Sequence, residues 1–122
     1  MPRICRLGYG GFLLIALGVA QATSAIAQGS GTSAPVYLDR IVVQDDGIYL
    51  FPASGSFLNP DACASSATIV IPPGSPLLSH YSSAAMTALA ARKSMHVWVS
   101  GCQMAPWYPS VPKVVSITLY GQ

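Results

Sequence analysis

Apolar and polar residues alternate over short runs of this chain, and turn residues separate the runs. Val36 to Val43 is the first. Ile41 and Val43 share one face, and Arg40 and Val42 take the other. Asp45-Asp46-Gly47 follows as a turn, because Asp tolerates tight geometry and Gly supplies positive φ. Ile48 to Phe51 completes a hairpin with the first run. Ala64 to Ile71 predicts a third strand with Ala67, Ile69 and Ile71 facing inward. The period then changes. Leu78, Tyr81, Ala85, Ala88 and Leu89 recur at helical spacing, so Pro76 to Arg92 predicts a helix. Ser75 stands at its cap and Pro76 at its first position. Arg92 and Lys93 place positive charge at the negative end of its dipole. Met95 to Ser100 alternates again, with Met95, Val97 and Val99 as the core set. Val114 to Tyr120 is the last strand, with Val115, Ile117 and Leu119 on one side.

The connecting stretches differ in character. Gln28 to Pro35 is Gly, Ser, Thr and Ala, and reads as a flexible lead-in. Pro52 to Asp61 is turn chemistry that carries an apolar pair, Phe57-Leu58, expected to plug one end of the core. Gln103 to Lys113 is a loop with Pro106, Pro109 and Pro112 around Trp107 and Tyr108. No internal repeat or second domain is visible.

The amino-terminal part stands apart from this pattern. Arg3 and Arg6 precede an uncharged apolar run, Gly11 to Ala20, and Ala25-Ile26-Ala27 is a small-x-small signature. Residues 1–27 therefore read as a secretory signal peptide cut before Gln28. The other reading, a membrane anchor, needs about 20 apolar residues. The domain division is then 1–27 signal, 28–35 lead-in and 36–122 a single domain, in the periplasm or secreted. The formal charge of +2 falls to zero once Arg3 and Arg6 leave, since Arg40, Arg92, Lys93 and Lys113 balance Asp39, Asp45, Asp46 and Asp61. A neutral surface without a basic run offers no footprint for nucleic acid or an anionic membrane, and no membrane insertion is expected after cleavage. Cys63 and Cys102 remain as an even pair in an oxidising compartment and are expected to form a disulfide. A zinc site would want more Cys or His at close spacing.

The fold class expected from this order is a β-barrel with one helix. Five strands with the helix between the third and fourth is the layout of an OB-fold, a partly open Greek-key barrel. The alternative is another small α+β sheet with the helix on one face. Within this layout the run CASSATIVIPPGSPLLSHYSSAAMTALAARKSMHVWVSGC, Cys63 to Cys102, resembles small exported bacterial proteins of the kind seen in B subunits of pentameric toxins, closest to the subtilase cytotoxin B subunit. Cys63, Leu89-Ala90, Val97 and Val99 match that pattern in kind, over about a third of the chain. The resemblance implies an OB-fold that binds cell-surface glycans and carries no catalysis. No sugar-contacting motif matches outside this run, so no binding residue is carried over.

The chemistry of the chain points the same way. There is no Glu, and the four Asp sit beside turns or Arg40. No serine stands in G-x-S-x-G, although a Ser–His–Asp set could still assemble in space. His80 reads as a solvated helix residue and His96 as a surface strand residue. No enzyme activity, cofactor or metal is expected. Trp107 and Tyr108, in a loop stiffened by prolines, are candidate ligand-binding residues, and Trp98 and His96 join them if the alternation points them off the core. Trp107 could equally fold back as a lid. Two functions follow: a glycan-binding module, or a structural or inhibitory partner of another periplasmic or secreted protein. Self-association into a homo-oligomer stays open. Intact-mass measurement of the exported protein is expected to match a chain that begins at Gln28, and a mass that retains residues 1–27 would refute the cleavage.

Overall fold

The computed structural model describes residues 30–32 and 34–121, so the signal-peptide reading of residues 1–27 lies outside the described residues. Six strands form one mixed sheet with a single helix. They are β1 (Ser30–Thr32), β2 (Leu38–Gln44), β3 (Gly47–Pro52), β4 (Ile69–Ile71), β5 (Met95–Gln103) and β6 (Val111–Leu119), and α1 (Leu78–Ala90) lies between β4 and β5. The sheet order is β1-β5-β6-β4-β3-β2. All pairs are antiparallel except β4 with β6, which meet in parallel at Val70 and Lys113.

The sheet is a small α+β arrangement and is not closed into a barrel by a strand ladder. β2 does not pair with β5. The two outermost strands are nevertheless neighbours in the chain. β1 runs along Trp98–Ser100, and Val36 then exchanges two 2.9 Å backbone hydrogen bonds with Met95 before the chain enters β2. The stretch read as a flexible lead-in thus contains a paired strand. A side chain at Gly31 would meet the tip of the Leu58 side chain, which would have to move aside.

The hairpin forms where the alternation placed it. Gly47 ends the turn at φ 148°, and a Cβ there would lie 2.6 Å from a Val70 methyl. The position therefore needs glycine for space as well as for backbone freedom. The third strand is shorter than the sequence suggests, with only Ile69–Ile71 in the ladder. The residues before it are small and polar, and their backbone turns elsewhere. Ala64 and Ser65 donate to Ser110, and Phe57 donates to Ser66 O. Ala67, expected inside, is exposed. Thr68 is fully buried, and its hydroxyl donates to Leu50 O at 2.8 Å, supplying a bond where the β3–β4 ladder stops.

α1 begins two residues later than Pro76. Leu77 holds the cap position without a side-chain cap bond, and Leu78 N–H donates to Ser75 O in a tighter preceding turn. At the other end Arg92 N–H reaches Leu89 O and Lys93 N–H reaches Ala88 O, with Arg92 at φ 51°. This is a Schellman closure in which arginine takes the left-handed position that glycine usually fills.

The main core lies between α1 and the sheet. Ala85 and Ala88 are buried against it, with Leu78, Tyr81 and Leu89 at its margin, so the expected stripe faces inward. Phe57 is buried in this core as the expected plug, while Leu58 stays outside. The last strand departs from its expected face. Trp98 pairs with Ser116 but Val99 pairs with Val114, so Val115 is an extra residue that bulges from β6. Val114 enters the core and Val115 is exposed, while Ile117 and Leu119 pack inward as expected. The bulged Val115 carbonyl accepts the Tyr81 hydroxyl at 2.6 Å. A compensating bulge at Ser100–Gly101 follows on β5, with Gly101 at φ 74°.

Cys63 and Cys102 are bonded, with their Cα atoms 5.7 Å apart. Their closed loop of 39 residues would stabilise by about 4 kcal/mol in a chain-entropy account. The placement of α1 can be checked by a pair of variants. Ala88→Asp buries an unpaired carboxylate and is expected to cost about 1–3 kcal/mol or more. Ser83→Asp on the exposed face should change stability by less than about 0.5 kcal/mol in denaturant unfolding, and equal costs would contradict the stated helix face.

Candidate functional site

The outer face of the β2–β3 hairpin gathers aromatic residues. Arg40 stands opposite Phe51 across the ladder, and Val42 stands opposite Tyr49. The Arg40 guanidinium lies 4.1 Å from the Phe51 ring centre, a cation–π distance. Arg40 also pairs with Asp39 at 2.9 Å, but both side chains are more than half exposed, so this pair adds little stability.

The loop after β5 folds over that face. Tyr108 and Ala105 pack on a second, smaller cluster of Tyr49, Val70 and Val111. Trp107 meets Tyr49 edge-on at 5.2 Å and Phe51 at 5.8 Å. Trp107 is 47% exposed, so it rests partly on the hairpin and stays partly open. Trp107 is therefore neither a buried lid nor a free ring. Arg40, Val42, Phe51, Trp107 and Tyr108 line an open groove of about 370 Å³. Two other depressions are of similar size, one near Tyr37 and Arg92 and one near Ser75 and Lys113. The β2–β3 groove differs from them in having three aromatic walls.

The floor of the groove is fixed by polar contacts. Tyr49 is fully buried, and its hydroxyl donates to Asp46 Oδ2 at 2.8 Å. Gln103 Nε2 donates to the Asp46 carbonyl at 2.9 Å, joining the hairpin turn to the end of β5. Burial, and then the Asp46 carboxylate, push the Tyr49 phenol up to about 12.

The candidate residues do not all come together. Trp107 and Tyr108 belong to the groove. His96 and Trp98 lie on the outer face of β5, where His96 meets Tyr120 edge-on at 5.1 Å. Trp98 is 44% exposed, and no ring contact joins it to the groove. The sequence reading did not place Phe51, Tyr49, Asp46 or Gln103 in the site. Alternation already placed Arg40 and Val42 on one face, and extending the same period across the hairpin would have added Tyr49 and Phe51 to it.

Among the described residues no group of three or more His, Cys, Asp or Glu could hold a metal ion. No described helix is long and apolar enough to cross a membrane. No protein-family model, curated protein or solved structure matches this chain.

The Tyr49 phenol gives a pH signature. Its folded value lies above the ordinary 10.0, so its contribution is complete below pH 10 and is lost as pH rises towards 12. Stability should fall by up to about 2–3 kcal/mol across that window. The phenolate absorbance of folded protein should show a late-titrating step that Tyr49→Phe removes. A late step that persists unchanged in Tyr49→Phe, or its absence from the unmodified protein, would contradict this reading.

Proposed function

We propose that this chain is a non-catalytic exported binding module that takes a glycan in the groove between the β2–β3 hairpin and the loop after β5. The observation that carries the proposal is the half-open Trp107 ring, braced on Tyr49 and Phe51 beside Tyr108. Apolar sugar faces stack on such rings, and a braced ring loses little freedom on binding. The Arg40 guanidinium adds a planar set of donors at the rim.

An OB-like arrangement underlies this reading. It is supported by the five strands β2 to β6 with α1 between the third and fourth of them, and by a chain that passes from one sheet edge to the other through the Val36–Met95 bridge. In OB-folds, oligosaccharides dock on the face of the second and third strands and the neighbouring loops. Here those parts correspond to β3–β4, the Asp45–Asp46 turn and the loop of Trp107. The disulfide suits an oxidising compartment outside the cytoplasm. The absence of Glu from the chain and the lack of a nucleophile motif support a role without catalysis.

A second reading is kept for one observation. His96, Trp98 and Tyr120 form an aromatic face on β5–β6 that is separate from the groove. A protein partner, or a second copy of the chain, would use that face instead, because aromatic residues are enriched in interface cores.

Glycan-array binding followed by titration calorimetry tests the first reading. Trp107→Ala and Tyr108→Ala should each weaken binding by about 2–10-fold, the range of one aromatic contact. Trp107→Ala should cost about 1–2 kcal/mol of stability, less than the 3–5 of a fully buried ring. Unchanged glycan affinity in both variants would exclude the groove. If Trp98→Ala abolishes co-purification of a partner while the groove variants do not, the second reading is favoured.

A further inference from the structure

The loop that carries Trp107 is held at both of its roots by one other segment, Asn59 to Ser65. At the first root, Cys63 is bonded to Cys102, and Gly101 N–H donates to the Asp61 carboxylate. At the second root, Ala64 N–H donates to Ser110 Oγ at 2.9 Å, and Ser65 N–H donates to Ser110 O at 3.0 Å. The holding segment is itself internally bonded. Asn59 Oδ1 accepts from Cys63 N–H and Asn59 Nδ2 donates to Cys63 O, both at 2.8 Å, which folds the chain into a closed turn with Ala62 at φ 50°. Within the loop, the 3.2 Å bond from Ala105 N–H to Tyr108 O forms a turn between the two roots.

We infer that Asn59–Ser65 is a clasp that positions the aromatic loop 104–109, and that its disulfide makes the stance of Trp107 depend on redox state. The role given to this stance rests on the proposed groove. The clasp itself is a matter of loop geometry. Trp107 meets Tyr49 and Phe51 in T-shaped contacts, and such contacts are worth only about 0.5–1.5 kcal/mol each. Contacts of that size do not hold a six-residue loop by themselves, because ordering costs about 1–2 kcal/mol per residue. Tyr108 and Ala105 add packing, and fixing both roots removes much of the freedom that remains. Asp61, Cys63, Cys102 and Ser110 are therefore positioning residues, and none of them lines the groove.

Reduction by a dithiol balances simply. Two electrons and two protons pass to the Cys63–Cys102 bond, two thiols form, and the reductant leaves as its own disulfide. The root at Cys102 is then held by Asp61, the Gln103–Asp46 bond and the strand ladder.

The experiment needs no ligand. In a Trp98→Phe background Trp107 is the only tryptophan of the mature chain, and acrylamide quenching of its fluorescence reports its exposure. The mature protein is compared before and after reduction with dithiothreitol, with cooperative far-UV unfolding as the check on the fold. The clasp predicts a rise in the quenching constant of about two-fold or more on reduction, and weaker near-UV dichroism from the Trp107–Tyr49 pair, with the fold retained. Unchanged quenching in folded, reduced protein overturns it. If reduction unfolds the chain, the readout moves to Asp61→Ala combined with Ser110→Ala, which leaves the disulfide intact. There an unchanged quenching constant overturns the inference and a raised one supports it. Because quenching is read without sugar, a failed clasp and a failed glycan site give different results.

Discussion

A six-stranded sheet served by one thirteen-residue helix can bury its apolar face only by curling around that helix. This constraint shapes the rest of the molecule. The inner face of the helix is built from Ala85 and Ala88, which let it approach the sheet closely. The bend comes from paired irregularities in β5 and β6. Val115 bulges from one strand, and the Ser100–Gly101 step compensates on the other. Bulges increase local twist and bend the strand that carries them. The helix is fastened to the bend itself, since Tyr81 donates to the carbonyl of the bulged residue. Phe57 then joins the helix and sheet in the same core.

The long antiparallel strands and the helix face were legible because their side-chain periods are regular. The hairpin was legible from Asp45-Asp46-Gly47, and the disulfide from an even pair of cysteines. What was not legible depends on long-range pairing. A bulge changes the inward set without changing the composition of the strand, so Val114 and Val115 exchanged places relative to simple alternation. Ala64 to Thr68 alternates as a strand would, yet Ser110, more than forty residues away, claims its first amides. Ser30–Thr32 has the composition of a linker, and its strand exists because β5 presents an unpaired edge to it. The candidate site was half legible. Its two loop aromatics stand out in the sequence and alternation puts Tyr49 and Phe51 on one hairpin face, but that the loop folds back onto this face is a long-range contact with no local signal.

The two faces of the sheet are used differently. The inner face is aliphatic and closed by the helix. The outer face carries the rings, which are separated into a groove group around Trp107 and a strand group around His96 and Tyr120. Buried polar groups mark the boundary between these environments. The Tyr49 hydroxyl crosses to Asp46 at the hairpin turn, and Thr68 satisfies the Leu50 carbonyl inside. No described side chain leaves a buried nitrogen or oxygen without a partner. The few polar atoms inside therefore fix register as well as remove a desolvation cost.

The short strand β1 has a consequence for life at high concentration. Ser30 to Thr32 occupies the backbone of Trp98 to Ser100, which would otherwise present open donors and acceptors beside an exposed tryptophan. Bare edges of that kind recruit strands from other molecules. A three-residue stretch of serine, glycine and threonine thus works as a stopper against chain-to-chain polymerisation. Trimming the domain to Val36, where its apolar pattern begins, would remove that stopper while leaving the core intact.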